Sequence, residues 1–344
     1  MFDFDKEELK GYIRKIAEPK VLVVGDLAID EMVYGNTARM SREAPVLILR
    51  HYDTKIILGA ASNAAHNLST LNGGNVSVIG TYGNDFYGPV LLEAFKKANI
   101  NTEYMVMDES RVTTVKTRVS GSCSQSITQQ IVRIDRETTE TVSAEVEKKI
   151  IENLEKAIPL HDAVILSDYN IGIMSKNIIE KTIEIARKHN KVVTVDAQKD
   201  LDRFKGVTAM TPNQPDTEGF VGYKIKDDKT LLAAGKDMLD KTSSDMMLVT
   251  RGGDGMCVFE KNGNVTKIPV FNKTDVFDVT GAGDTVVASF TLALAAGIEP
   301  KFAAVIGNLA ASIVIRHFGC ATTTVDELVA TLDKLNMDSL TIKV

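Results

Sequence analysis

Two kinds of apolar pattern alternate along the chain. Short apolar runs without in/out alternation occupy Lys20–Val24, Val76–Ile79, Ala163–Ser167, Val192–Val195, Val207–Thr211 and Met246–Thr250. Such runs predict strands buried on both faces. Longer stretches with apolar residues at helical spacing lie at 61–71, Tyr87–Ala98, 143–157, Met174–His189, 228–240, 284–296 and 301–316, and these predict helices. The βα alternation implies an α/β fold with a doubly wound, mostly parallel sheet flanked by helices. Leu9, Tyr12, Ile13 and Ile16 also fall at helical spacing and Pro19 follows, so 1–19 reads as an N-terminal helical extension. Residues 31–58 and 103–135 break the rhythm. They hold Pro45–Arg50, Thr113–Val119 and Gln130–Ile134, β-rich and more polar, with no helix between. These predict a small β-sheet lid on the main body, decorated surface hairpins being the alternative. The whole chain, 1–344, reads as a single domain.

Composition narrows the partners. The chain is 44% hydrophobic and 25% charged with a net charge of −6, which gives no reason to expect nucleic acid or an anionic membrane as partner. Cys123, Cys257 and Cys320 match no zinc spacing and read as thiols in a reducing compartment. The acidic start, Met-Phe-Asp-Phe-Asp-Lys-Glu-Glu, has no signal-peptide core, and no stretch is long enough to span a membrane, so a cytoplasmic protein is expected.

The chemistry concentrates in Asp278-Val279-Thr280-Gly281-Ala282-Gly283-Asp284, which opens directly onto an apolar helical run. Free N–H groups of a first helical turn, reinforced by the helix dipole, make an anion site, and glycines let backbone approach the anion. Asp284 places a carboxylate in that positive field. Anion binding alone gives it no purpose, whereas a base taking a proton from a hydroxyl belongs there, with the amides stabilising the group under attack. An ordinary loop with a Thr or Asp helix cap is the other reading. The stretch is not a dinucleotide fingerprint, because Gly281-Ala282-Gly283 lacks a third glycine at the required offset.

This stretch resembles the second signature of the ribokinase-like (PfkB) carbohydrate kinases, Asp-Thr-x-Gly-Ala-Gly-Asp, with Val279 in place of the usual threonine. The segment Gly35-Asn36-Thr37-Ala38-Arg39-Met40-Ser41-Arg42-Glu43-Ala44-Pro45-Val46 is similar to that of heptose-7-phosphate kinases, the kinase half of the bifunctional heptose kinase/adenylyltransferases. Gln129–Asp135, Leu166-Ser167-Asp168-Tyr169, Thr211-Pro212-Asn213 and Val249-Thr250-Arg251 extend the match from about residue 20 to 330. The resemblance implies a ribokinase-like fold, ATP and Mg²⁺ as cofactors, and catalysis by Asp284 with Gly281, Ala282 and Gly283. For the sugar it implies Asp30, Gly59 and Asn63; for a phosphate on that sugar, lid arginines such as Arg39 and Arg133, because a guanidinium fork suits phosphate. For the nucleotide it implies Asn213, Asp216, Thr250, Gly252, Gly255 and Asn308, with Asp216 acting on Mg²⁺ through water. Asp278 and Thr280 are implied in a monovalent-cation site, such as one for K⁺. Taken singly, several of these have plainer readings: a turn aspartate at Asp30, solvated surface arginines, a helix cap at Asn63, a helix-surface asparagine at Asn308.

Three further departures stand out. Gly59-Ala60 replaces the Gly-Gly hinge, Asp196-Ala197-Gln198-Lys199 replaces Asp-Pro-Lys, and Asn213-Gln214-Pro215-Asp216 ends in Asp rather than Glu. The expected reaction is ATP-dependent phosphorylation of a sugar phosphate, D-glycero-β-D-manno-heptose 7-phosphate at its anomeric hydroxyl. A kinase for a different sugar, or a non-catalytic sugar- or nucleotide-binding regulator, are the alternatives; a base beside both glycines argues against the regulator. Within 344 residues this reading leaves no room for a second catalytic domain, so any nucleotidyltransferase is expected to be a separate protein. Lid strands are also expected to offer a surface for a homodimer.

Overall fold

The computed structural model describes residues 5–123, 126–271, 276 and 278–335. Residues 1–4 of the expected extension and 336–344 at the other end lie outside the described residues. The elements run α1 (Lys6–Lys15), β1 (Val21–Gly25), β2 (Leu27–Met40), β3 (Leu47–Ala60), α2 (Ala61–Asn72), β4 (Val76–Ile79), β5 (Thr81–Gly83), α3 (Tyr87–Lys97) and β6 (Val106–Asp108). Next come β7 (Val115–Cys123), β8 (Ser126–Arg136), α4 (Ala144–Ala157), β9 (Ala163–Asp168), α5 (Lys176–Lys188), β10 (Val192–Ala197), β11 (Ala209–Met210), α6 (Gln214–Val221) and α7 (Asp228–Thr242). The chain closes with β12 (Met246–Thr250), β13 (Met256–Glu260), β14 (Val265–Ile268), α8 (Ala282–Ala295), α9 (Pro300–Val314) and α10 (Val325–Lys334).

Eight strands form the main sheet in the order β14-β13-β12-β11-β10-β9-β1-β4, parallel except for β13 and β14. The period-2 pleat sends alternate side chains to opposite faces. Along β1, Val21 and Val23 enter a core shared with α1, α2, α3, α8, α9 and α10, while Leu22 and Val24 enter one shared with α4, α5 and α7. This double burial is why the strands read as unbroken apolar runs. It also shows that α1 is no loose appendage, since Leu9 and Ile13 are fully buried in the first core.

The sequence pattern was least legible at the edge of this sheet. Only Ala209 and Met210 of the run 207–211 pair as a strand. The hairpin β13–β14 and the short α6 gave too little periodicity to predict, because β14 is only four residues with two apolar positions at an edge and α6 is eight residues with a proline in its first turn. No helix among the described residues is long and apolar enough to cross a membrane.

The chain passes from β1 to β4 on one side and then crosses back to β9 on the other, so the strand order reverses there and the carboxyl ends of β1 and β9 flank the crevice where such sheets hold ligands. A second sheet, β3-β2-β7-β8, projects above it. Its strands continue directly from the body at Asp26 and return at Ala60, both beside the crevice. Residues paired in register share a face. Asp30, Lys116 and Asp135 line up on one face, as do Met32, Lys55, Arg118 and Arg133. The opposite face carries Ile56, Val132 and Ile134, all substantially exposed.

Candidate active site

Gly281 precedes α8 with a left-handed φ of 78°, which turns the chain sharply into the helix. A Cβ at this position would lie 2.6 Å from Asn63 Nδ2, so both the backbone angle and the space require glycine. Within the first turn, Thr285 N–H already bonds Gly281 O at 3.1 Å and Ala282 N–H bonds Val279 O at 3.2 Å. Ala282 is therefore not a free donor, which corrects the expectation that it would join its neighbours in binding an anion. The amides of Gly283 and Asp284 have no hydrogen-bond partner among the described residues and remain available at the positive end of the helix.

Asp284 is 6% exposed. Its Oδ2 accepts a 2.7 Å bond from Asn63 Nδ2 and its Oδ1 a 3.1 Å bond from the Tyr169 hydroxyl. Burial raises its pKa from 3.8 to about 6; these two bonds and the nearby Lys116 pull it down, while Asp30 pushes it up. Desolvation thus outweighs the two hydrogen bonds and Lys116, and the carboxyl is poised to be ionised near neutral pH yet basic enough to take a proton. Asp196, at the end of β10, is likewise pushed well above the ordinary carboxylate range by burial and by the charges of Asp284 and Asp216.

The expected sugar residues gather around this base with altered duties. Asp30 is 6% exposed, and its carboxylate lies under Gly59, where a Cβ would approach it to 2.9 Å. Arg118 Nη1 is 2.6 Å from Asp30 Oδ1. Asn63 is fully buried, and its amide is committed to Asp284 rather than offered to a hydroxyl pair. It does not cap α2 either, since Ala60 holds that position. Arg133 stands opposite Arg118 on the same lid face and pairs with Asp135 at 2.6 Å. Arg39 does not join them. It is exposed, nine residues beyond Asp30 on β2, roughly 30 Å along an extended strand, and bonds the neighbouring Met40 carbonyl. The reason is strand length: β2 runs far past the cleft, so only its first residues meet the base.

On the other side of α8 lies a cavity of about 240 Å³ lined by Thr250, Gly252, Gly255, Gly283, Val286 and Asn308, among others. At Gly252, Gly253 and Gly283 an added Cβ would meet no protein atom within 4 Å and would project into open space. A largely apolar slot floored by glycines suits a flat heteroaromatic base with its phosphates toward α8. Gly252 and Gly255 hold positive φ angles of 51° and 82°. Asn308 is 3% exposed rather than on a helix surface, and its amide bonds Pro269 O at 2.6 Å. Asn213 caps α6 by accepting the Asp216 N–H at 2.8 Å, which sets Asp216 near the end of β10. Among the described residues no three His, Cys, Asp or Glu side chains cluster to hold a metal. The two carboxylates Asp216 and Asp196 are the hard oxygen donors that suit Mg²⁺, which keeps most of its shell for water and phosphate. Asp278 accepts from Thr280 N–H and Oγ1 and from Gly319 N–H, at 2.7 to 2.9 Å, and so locks the loop leading into α8.

Several site residues carried no assigned role in the sequence. Lys116 and Arg118 sit at alternate positions of one predicted strand, a period-2 signal that would have put both on one face. Tyr169 and Asp26 gave no such signal. Asp26, 1% exposed at the end of β1, accepts the amides of Tyr169, Ile171 and Ile173 at 2.8 to 3.2 Å. That contact spans about 145 residues and is invisible to local pattern.

Residues 18–327 match the family described as pfkB family carbohydrate kinase. The chain is 36% identical over 326 residues to the bifunctional protein HldE of Aliarcobacter butzleri, covering 94% of this chain and 67% of that protein. It is 38% identical over 314 residues to the bifunctional protein HldE of Desulfatibacillum aliphaticivorans, covering 91% and 63%. The chain thus spans about two thirds of the length of these curated relatives. Among solved structures, phosphofructokinase-2 from Escherichia coli in complex with substrates and products superposes with a TM-score of 0.73 at 16% identity, covering 92% of this chain and 99% of that one. Arabidopsis thaliana ribokinase complexed with ribose and ATP gives 0.69 at 17%, covering 93% and 100%. At those identities the likeness is one of fold, the ribokinase-like fold.

Proposed function

This chain belongs to the pfkB family of carbohydrate kinases, and we propose that it transfers a phosphoryl group from ATP to a sugar phosphate, D-glycero-β-D-manno-heptose 7-phosphate, at the anomeric hydroxyl. The observation that carries the reading is the place of Asp284. It is a buried carboxylate at the start of α8, with the glycine-floored cavity on one side and the cationic face of the lid on the other.

In this reading Asp284 takes the proton of the sugar hydroxyl as that oxygen attacks the terminal phosphorus and the bond to ADP breaks. The free amides of Gly283 and Asp284, with Gly281 shaping the turn, face the charge that develops on the phosphoryl oxygens. Asp30, beneath Gly59, orients the sugar. Arg118 and Arg133, with Lys116 near the base, offer the sugar's own phosphate a paired guanidinium face. Arg118 takes the place assigned to Arg39 on sequence grounds. Thr250, Gly252, Gly255 and Asn308 line the nucleotide's slot, and Asp216 and Asp196, beyond Asn213, would hold Mg²⁺. Bound Mg²⁺ neutralises phosphate charge. A monovalent cation such as K⁺ belongs to the same proposal, near Asp278 and Thr280, and a potassium complex of E. coli phosphofructokinase-2 is among the similar folds. The unpaired Cys257 and Cys320 suit a cytoplasmic setting.

The test is ADP release from ATP and Mg²⁺ across heptose 7-phosphate, fructose 6-phosphate, ribose and fructose, with and without K⁺. Turnover strongest with heptose 7-phosphate is expected. Preference for an unphosphorylated sugar would remove the role given to Arg118 and Arg133, and silence with every sugar would favour a binding protein.

A further inference from the structure

Asp284 is held at both oxygens, and the two donors arrive by separate routes. Asn63 belongs to a network between α2 and α8. Asn67 Nδ2 donates to Asn63 O at 2.9 Å, and Asn67 Oδ1 accepts from Thr285 Oγ1 at 2.8 Å. That bond belongs to helix packing and would exist whatever the base does. Tyr169 comes from the opposite wall, the loop after β9. Its backbone is fixed by the buried Asp26, which gathers the alternate amides of Tyr169, Ile171 and Ile173. A carboxylate at the head of the crevice is therefore committed to placing this loop, and the loop sends one hydroxyl to Asp284 Oδ1. The lid touches the same side chain, because Lys116 Nζ stands 5.3 Å from the centre of the Tyr169 ring.

We propose that Tyr169 is the positioning residue of this site: its hydroxyl fixes the rotation of the Asp284 carboxylate and, through Lys116 on its ring, links the set of the lid to the set of the base. The inference rests on Asp284 acting as the base in the proposed reaction. A carboxylate pinned only at Oδ2 could turn about its last torsion, whereas one pinned at both oxygens keeps its remaining lone pairs aimed at a single place. Burial and the charges of Asp284 and Asp196 hold the Tyr169 phenol well above its usual pKa, so it stays a donor through the physiological range. The titratable groups around the base come from several elements: Asp30 from β2, Lys116 from β7, Asp196 from β10 with Asp216 behind it, and the Cys320 thiol, which burial keeps neutral, with Arg118 and Asp278 acting on that thiol. Of these Lys116 favours the ionised carboxylate and Asp30 opposes it. The Tyr169 hydroxyl adds to the effect of Lys116 without adding charge.

The experiment compares Tyr169→Phe with the wild-type chain, since the substitution removes one oxygen and leaves the ring under Lys116. With ATP, Mg²⁺ and heptose 7-phosphate, kcat at pH 7 should fall about 10-fold or more while KM for both substrates stays within about two-fold. The acid limb of the kcat profile should move up by about one pH unit, the effect of one hydrogen bond to a charged group. The Asp284 carboxyl carbon, titrated by NMR in ¹³C-aspartate-labelled protein with Asp284→Asn as the assignment control, should show the same upward move without any turnover. That second readout separates the two readings. A shifted titration in a protein that phosphorylates no sugar would overturn the kinase mechanism and keep the positioning. An unshifted titration and limb, or a loss confined to KM, would overturn the positioning.

Discussion

Asp284 carries a conflict between stability and chemistry that can be measured. Its carboxyl is buried and its pKa is raised from 3.8 to about 6, so the folded chain binds a proton that the unfolded chain has released across that interval. Stability contributed by this site is full below about pH 4, declines as pH rises through about 6, and is flat above. Asp284→Asn cannot ionise, so it should be more stable than wild type above pH 6 by about 1–3 kcal/mol, the gain vanishing toward pH 4. Urea melts at pH 4.5, 6 and 8 would show it. A variant equally destabilised at all three would mean that the Asn63 and Tyr169 bonds, rather than charge burial, dominate at this position. Asp284 itself could be read from sequence because Gly281 and Gly283 precede it at the start of a helix. Its two donors could not, lying 221 and 115 residues away.

Among the elements, the hinge between β3 and α2 resolves one of the sequence departures. Ala60, which stands in place of the second glycine of the expected Gly-Gly hinge, adopts φ 50° and ψ −136° and is 8% exposed. The alanine occupies a glycine conformation, which costs roughly 1–3 kcal/mol for a residue with a Cβ. Ala60→Gly should therefore raise stability by about 1 kcal/mol after the added chain entropy of glycine is subtracted. Denaturant midpoints with an unchanged m-value would show the gain, whereas a loss would mean that the Cβ contacts of Ala60 outweigh the strain. Other elements repeat this division between local and distant causes. The parallel strands were legible because each is apolar along its whole length, and the lid because its strands alternate. How far β2 and β3 reach was not legible. Pro45–Arg50 predicted only a fragment of a 14-residue strand, so the pattern did not show that Arg39, a lid arginine offered for the sugar's phosphate, lies far out along β2.

For the molecule as a whole, three separate surfaces converge on one carboxylate. The main sheet presents Asp26, Tyr169 and Asp196 at its strand ends. Helix α8 presents free amides and one wall of the glycine-floored cavity. The lid presents Asp30, Lys116 and Arg118 from strands that start beside the crevice. Composition and periodicity reach the two-layer plan of body and lid, and the 278–284 motif reaches the base. Which lid cations face that base is decided by strand register, set by the hinge and by pairing across 80 or more residues, so no local pattern contains it.

The proposed chemistry is removal of the proton from the acceptor hydroxyl by Asp284. Its most direct measurement is phosphoryl transfer by Asp284→Asn, run beside ATP-binding calorimetry on the same preparation. The variant should bind ATP with Mg²⁺ about as tightly as wild type, while kcat with heptose 7-phosphate falls by about 10²–10⁴. ATP binding intact and kcat within a few-fold of wild type would contradict the account, since the proton would then leave by another route.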